Sequence, residues 1–95
     1  MEQKIQLKHP QGKKAIKMYK TKYEILKKAL LEHLNQKGES THTEIWKTTA
    51  ENFKKKKINF EGSIQWHMEW VKLDLEANKV IKRISGTVLD KYELA

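Results

Sequence analysis

Four histidines, His9, His33, His42 and His67, are the first residues to weigh for chemistry, and they are scattered along the chain. No two of them share a helix face at ligand spacing, and no Asp or Glu completes a metal set beside them. With no cysteine, thiolate metal sites, disulfides and cysteine catalysis are excluded. The pairs Asp74/Glu76 and Glu69/Asp74, at i, i+2 and i, i+5 spacing, cannot face each other as a catalytic dyad on a helix. The four glycines are isolated, so no glycine-rich phosphate cradle or nucleophile elbow exists. The expectation is a non-enzyme with no metal, no cofactor and no small-molecule substrate.

The remaining chemistry is charge. The chain of 95 residues carries a formal net charge of +8, and nineteen of its twenty basic residues are lysine, Arg83 being the exception. Residues 1–60 hold fifteen lysines against six glutamates, an excess of nine positive charges, while residues 61–95 are net negative by one. A basic balance points to an anionic partner, with nucleic acid first. Lysine meets phosphate as a flexible point charge, without the bidentate fork with which arginine reads guanine. A solvated lysine surface accounts for the same excess equally well.

The elements that position these charges follow from periodicity. "KIQLK" and "AIKMY" alternate apolar and polar residues around a "HPQG" turn. They read as an N-terminal hairpin, or as a single strand after a basic arm, within residues 1–20. Three helices are expected, over 21–37, 41–57 and 63–78. Thr21 with Glu24 and Thr41 with Glu44 have capping-box spacing, Ser63 is an N-cap, and Gly38 suits a left-handed C-terminal cap. In the second helix Ile45, Trp46, Thr49, Ala50 and Phe53 line the inward face. Lys54 to Lys57 place positive charge where the helix dipole favours it.

The third helix has two apolar sides. Trp66, Trp70, Leu73 and Ala77 form one stripe; Ile64, Met68, Val71 and Leu75 form another, nearly opposite. Such a helix reads as buried, with the tryptophans in the core rather than serving as a stacking platform for bases. Only Gln65, Glu69, Lys72 and Glu76 make a wholly polar strip. After Asn78 the period switches to that of strands, giving a hairpin over 80–94. The fold class is therefore α+β: a three-helix core, a C-terminal β-hairpin and a short N-terminal strand or hairpin, in one domain of residues 1–95. No apolar run reaches membrane-spanning length, and the N-terminus lacks a signal-peptide core. A soluble, cytoplasmic protein without a membrane partner is expected.

The order of these elements resembles a winged-helix domain. "THTEIWKTTAENF" and "SIQWHMEWVKLDLEANKVIKR" would be its helix pair, and "RISGTVLDKYEL" its wing. Asn78-Lys79 occupies the position usually held by glycine, with Asn78 suited to a left-handed conformation. More narrowly, "IQLKHPQG", "KYEILKKALLEHL" and "WVKLDLEANKVI" resemble a family of small bacterial proteins of uncharacterised function. The winged-helix resemblance implies that the third helix enters the major groove of double-stranded DNA and the wing rests on its backbone. With the reading strip of the third helix and the basic residues taken together, the contact residues expected are Lys13, Lys14, Lys17, Lys54, Lys55, Lys56, Lys57, Gln65, Lys72, Lys82 and Arg83, with largely non-specific phosphate binding. Glu69 and Glu76 would repel phosphate. The alternative is a protein-interaction or dimerisation module that uses the acidic face of the third helix against a protein partner or in a homodimer.

Overall fold

The computed structural model describes residues 3–85 and 88–95. Its elements run β1 (Lys4–Gln6), β2 (Lys17–Tyr19), α1 (Lys20–Lys37), β3 (Ser40–Thr41), α2 (His42–Lys55), α3 (Ile64–Ala77), β4 (Ile81–Ile84) and β5 (Lys91–Leu94). The fold is α+β, with an N-terminal hairpin and antiparallel strands at the C-terminus.

Of the two N-terminal readings, the hairpin forms. Ile5 pairs with Met18 in antiparallel register, and the backbone N–H of Gly12 donates to the His9 carbonyl at 3.0 Å, closing the turn. Gly12 sits at φ 73°, where a side chain would be strained. Leu7, Ala15 and Met18 are buried against the helices.

The hairpin also decides how α1 begins. The helix starts at Lys20, directly from β2, with Tyr19 as its N-cap and no side-chain cap. The Lys20 N–H donates to the Gln3 carbonyl at 2.8 Å. The expected Thr21–Glu24 capping box therefore does not form, because sheet pairing satisfies a donor at the helix entrance and Thr21 already lies inside the first turn. Glu24 instead lies 3.8 Å from Lys20 on the exposed surface.

The other two starts follow the sequence. The Glu44 N–H donates to Thr41 Oγ1 at 3.2 Å and the Thr41 N–H donates to Glu44 Oε1 at 2.9 Å, a complete capping box. Those hydrogen bonds, the backbone one foremost, hold the Glu44 carboxyl below the usual carboxylate range. Ser63 Oγ accepts from the Trp66 N–H at 3.0 Å at the start of α3.

Both α2 and α3 end in the same way. Lys57 and Lys79 adopt left-handed φ of 56° and 61°, and the residues after them, Ile58 and Val80, donate back to Phe53 and Leu75 at 2.8 and 2.9 Å. This is the Schellman arrangement, with an apolar residue folded back onto the helix. The left-handed residue after α3 is thus Lys79, not Asn78, which keeps a φ of −86° because its N–H still bonds the Asp74 carbonyl.

β3 was not expected. It is two residues long, too short for any periodic signal, and pairs Ser40 with Tyr92 and Thr41 with Lys91. β5 is therefore central in a three-stranded sheet, between β3 and β4. The core lies between the helices and this sheet: Leu26, Leu30 and Leu34 from α1, Ile45 and Phe53 from α2, Met68, Val71 and Leu75 from α3, with Ile81 and Tyr92 from the sheet. No helix among the described residues is long and apolar enough to cross a membrane.

Candidate interaction surface on the third helix

α3 meets a different environment on each of its sides, and those environments define the site. Its inward side is Met68, Val71 and Leu75, all fully buried. One margin holds Asp74, which is 4% exposed. The Tyr23 hydroxyl donates to Asp74 Oδ2 at 2.5 Å, and the Lys8 backbone N–H donates to Oδ1 at 2.8 Å. One carboxylate on α3 therefore fixes both α1 and the N-terminal hairpin. Burial, with the Asp74 hydrogen bond and charge adding to it, pushes the Tyr23 phenol well above its ordinary range.

The opposite margin is a chain of charges. Lys72, with only 3% of its side chain exposed, reaches Glu69 at 3.0 Å and lies 4.4 Å from the centre of the Tyr92 ring. Glu69 also lies 3.4 Å from His42 Nε2, at the start of α2. One turn further on, Glu76 pairs with Arg83 of β4 at 3.0 Å, and Arg83 reaches Asp90 at 3.1 Å. Burial lowers the Lys72 pKa against the pull of Glu69. Burial, and then the Lys72 charge, lowers that of His42.

The outward side carries Trp66, Trp70 and Leu73. Trp70 is partly buried and packs against the core, as expected, and Leu73 is partly buried; Trp66, 49% exposed, corrects the expectation that the whole stripe is core. The sequence shows two apolar stripes, but periodicity cannot say which one faces inward. Trp66 is held in a row of rings: Phe53, Phe60, His67, Trp66 and Trp70 follow one another at centroid distances of 6.0, 5.2, 4.9 and 6.4 Å. The row runs from the buried end of α2 out to the surface and fixes the outermost indole in place.

The expected contact residues divide. Lys13, Lys14 and Lys17 are exposed on the hairpin, and Lys13 and Lys14 line a hollow with Lys8 and Ala77, beside the C-terminal end of α3. Lys54, Lys55, Lys56 and Lys57 are exposed at the far end of α2, where Lys56 shares a cleft with Lys37 of α1. Gln65 is exposed on α3. Lys82 is exposed and lies 3.2 Å from Glu93. Arg83 is committed to Glu76 and Asp90. Lys72 is the correction: it is buried beneath Glu69 and Tyr92 and cannot reach a base or a phosphate. The polar strip of α3 is therefore not a free surface, since both its carboxylates are taken up by cations of the same chain.

Sequence reasoning missed Asp74 and the Glu69–Lys72–His42 group as structural centres. A signal was present in "WVKLDLEA", where Lys72 and Asp74 interrupt an apolar run. A helix apolar on two sides has two margins, and both are packed against neighbours here.

His33 is buried in a second polar pair. Ser40 Oγ donates to the Gly38 carbonyl at 3.1 Å, so across the 2.9 Å contact with Ser40 the ring donates through Nε2. Nδ1 is left as a buried acceptor with no hydrogen-bond partner among the described residues. Protonating it would bury an unmatched N–H, and burial accordingly lowers the His33 pKa, with Lys37 assisting and Glu44 opposing. His33 and His42 therefore both bind protons less readily when folded than when unfolded. The unfolded chain takes up protons first as pH falls below about 6.5, so stability is flat above that pH and declines beneath it. Thermal melts between about pH 8 and pH 5 should show a loss of up to about 1.4 kcal/mol per pH unit per histidine. Unchanged melting temperatures across that range would contradict the assignment.

The hairpin tip, the outward stripe of α3 and the base of the C-terminal hairpin together define a small α+β domain with one aromatic surface set among charged neighbours. The chain matches a family of unknown function, DUF6958, over residues 4–91, and belongs to it. No curated protein and no solved structure matches the chain at a significant level.

Proposed function

We propose that the protein is a winged-helix-like protein-interaction module that docks a partner on the outward side of α3. The observation that carries this reading is the half-exposed Trp66, continued along α3 by the partly buried Trp70 and Leu73, at the position where a DNA-reading helix would present polar side chains. Indole and leucine surface cannot read the donor and acceptor pattern of a major groove. It does suit a protein interface, whose centre is enriched in aromatic residues and poor in free charge. Burial of Lys72 and pairing of Arg83 remove two of the cations that groove reading would need. Glu69 and Glu76 are paired with His42, Lys72 and Arg83 and so support the rim of the stripe instead of forming a free acidic face.

A second reading is favoured by the exposed lysines of the hairpin and of the α2 terminus. They suit weak, sequence-independent phosphate contact, with a dissociation constant of about 10⁻⁴–10⁻⁶ M at physiological salt. The two readings use different surfaces and can be separated by fluorescence anisotropy on a labelled duplex. Changing Lys54, Lys55, Lys56 and Lys57 to Glu should abolish any duplex binding and its salt dependence. Trp66→Glu should leave it within about twofold. A loss of more than about tenfold in Trp66→Glu would place nucleic acid on α3 and overturn the interaction reading.

A further inference from the structure

We infer that the partner on α3 is a second copy of this chain, with the two α3 helices antiparallel across a two-fold axis near Trp70. This inference rests on the reading of the stripe as a protein-docking face. It begins with a knob and a hole on the same helix. The knob is Trp66, half-exposed and braced by His67 and Trp70. The hole is a hollow of about 290 Å³ whose lining includes Leu73, with His9, Pro10 and Lys13 of the hairpin turn and Glu76 and Arg83 on the wing side. Trp66 and Leu73 are seven residues apart, about 10.5 Å along one stripe. A two-fold axis midway between them falls beside Trp70. It would carry Trp66 of each copy into the hollow at Leu73 of the other and bring the two Trp70 rings together. An isologous contact needs this kind of self-complementarity.

Charge repeats the pattern. Glu61 precedes α3, and Glu69 lies in its N-terminal half with 42% of its side chain still exposed beside Lys72. The C-terminal half is flanked by Lys13 at Leu73, where Glu76 is matched by Arg83, and by Lys8 and Lys14 at Ala77. Antiparallel pairing sets the acidic end of one helix beside the basic hairpin of the other, whereas parallel pairing would set like beside like.

The test is sedimentation equilibrium of the full chain up to about 500 µM, with circular dichroism melts to check folding. Wild type should dimerise. Trp66→Glu and Leu73→Glu should each weaken the dimer by about thirtyfold or more, as expected for a central aromatic and its receiving pocket. Trp66→Glu should keep the wild-type melt of the monomer, because the indole is largely outside the core. Gln65→Glu should tighten the dimer and Gln65→Lys weaken it, since this exposed side chain would meet the partner hairpin lysines. A monomeric wild type at the highest concentration overturns the dimer and leaves the docking reading standing. A dimer indifferent to Trp66→Glu overturns the proposed geometry. Tighter duplex binding by Gln65→Lys, with no dimer in wild type, overturns both.

Discussion

Replacing Asp74 with alanine should lower the melting temperature by about 12–24 °C. The carboxylate accepts from the Tyr23 hydroxyl on α1 and from the Lys8 backbone on the hairpin, and it is almost wholly buried. Hydrogen bonds to a charged group contribute about 1.5–3 kcal/mol each, so losing both costs about 3 kcal/mol or more. In a domain of this size each kcal/mol moves the midpoint by about 4–8 °C. Tyr23→Phe removes one of the two contacts and should cost about half as much. The double variant should cost less than the sum of the singles, because the partners share one interaction. Ultraviolet titration provides an independent readout. Tyr23 holds its proton above the usual phenol range while Asp74 is present, and should ionise at lower pH in a folded Asp74→Asn variant. A melting temperature within a few degrees of wild type for Asp74→Ala would show that the hairpin and α1 are held by other means.

Removing Glu69 should have the second-largest effect, through the charge it leaves behind. Without that carboxylate the buried Lys72 ammonium keeps the face of Tyr92, at 4.4 Å, and the weaker, more distant attraction of Glu76. Breaking one side of a buried pair typically costs about 3–5 kcal/mol; Glu69 is itself partly exposed, so about 2–3 kcal/mol is expected for Glu69→Ala. The diagnostic variant is Glu69→Ala combined with Lys72→Met. Methionine fills a similar volume without a charge to bury, so the double variant should recover most of the lost stability. Urea midpoints of the wild type, the two single variants and the double variant close this cycle. If the double variant is as unstable as Glu69→Ala alone, the cost comes from lost packing of the Glu69 side chain and not from the stranded charge. The cycle bears on function as well. A Glu69 that holds Lys72 is a structural residue at the rim of the stripe, so charge reversal there would perturb folding before it reported on any partner.

Much of the architecture could be read from local rules because the relevant interactions are local. The Thr41–Glu44 box and the Ser63 cap join residues three apart and occur as the sequence suggested; Gly38 takes a positive φ of 76° but, with ψ at −151°, an extended conformation and not the left-handed helical cap expected. The Thr21–Glu24 box has the same spacing and fails, because Lys20 is paired with Gln3, seventeen positions earlier. β3 escaped notice for a related reason: it exists only through Tyr92 and Lys91, about fifty residues away in the chain.

The candidate site was legible only in its residue types. The sequence by itself determined that α3 carries two apolar stripes and two charged margins, since these follow from a period of 3.6. Tertiary structure decided which stripe faces inward, because that depends on where α1, α2 and the sheet pack. Packing buried Met68, Val71 and Leu75 and left Trp66 half in water. It also decided which charges remain available. Lys72 and Arg83 looked equivalent to Lys13 and Lys14 in the sequence, yet the first pair is neutralised by carboxylates brought from neighbouring elements, and the second stands on an exposed hairpin. Periodicity fixes the angle of a side chain around its own helix. What that side chain meets is set by contacts distant in sequence, and these turn an apparently free polar strip into the paired rim of a partly exposed aromatic stripe.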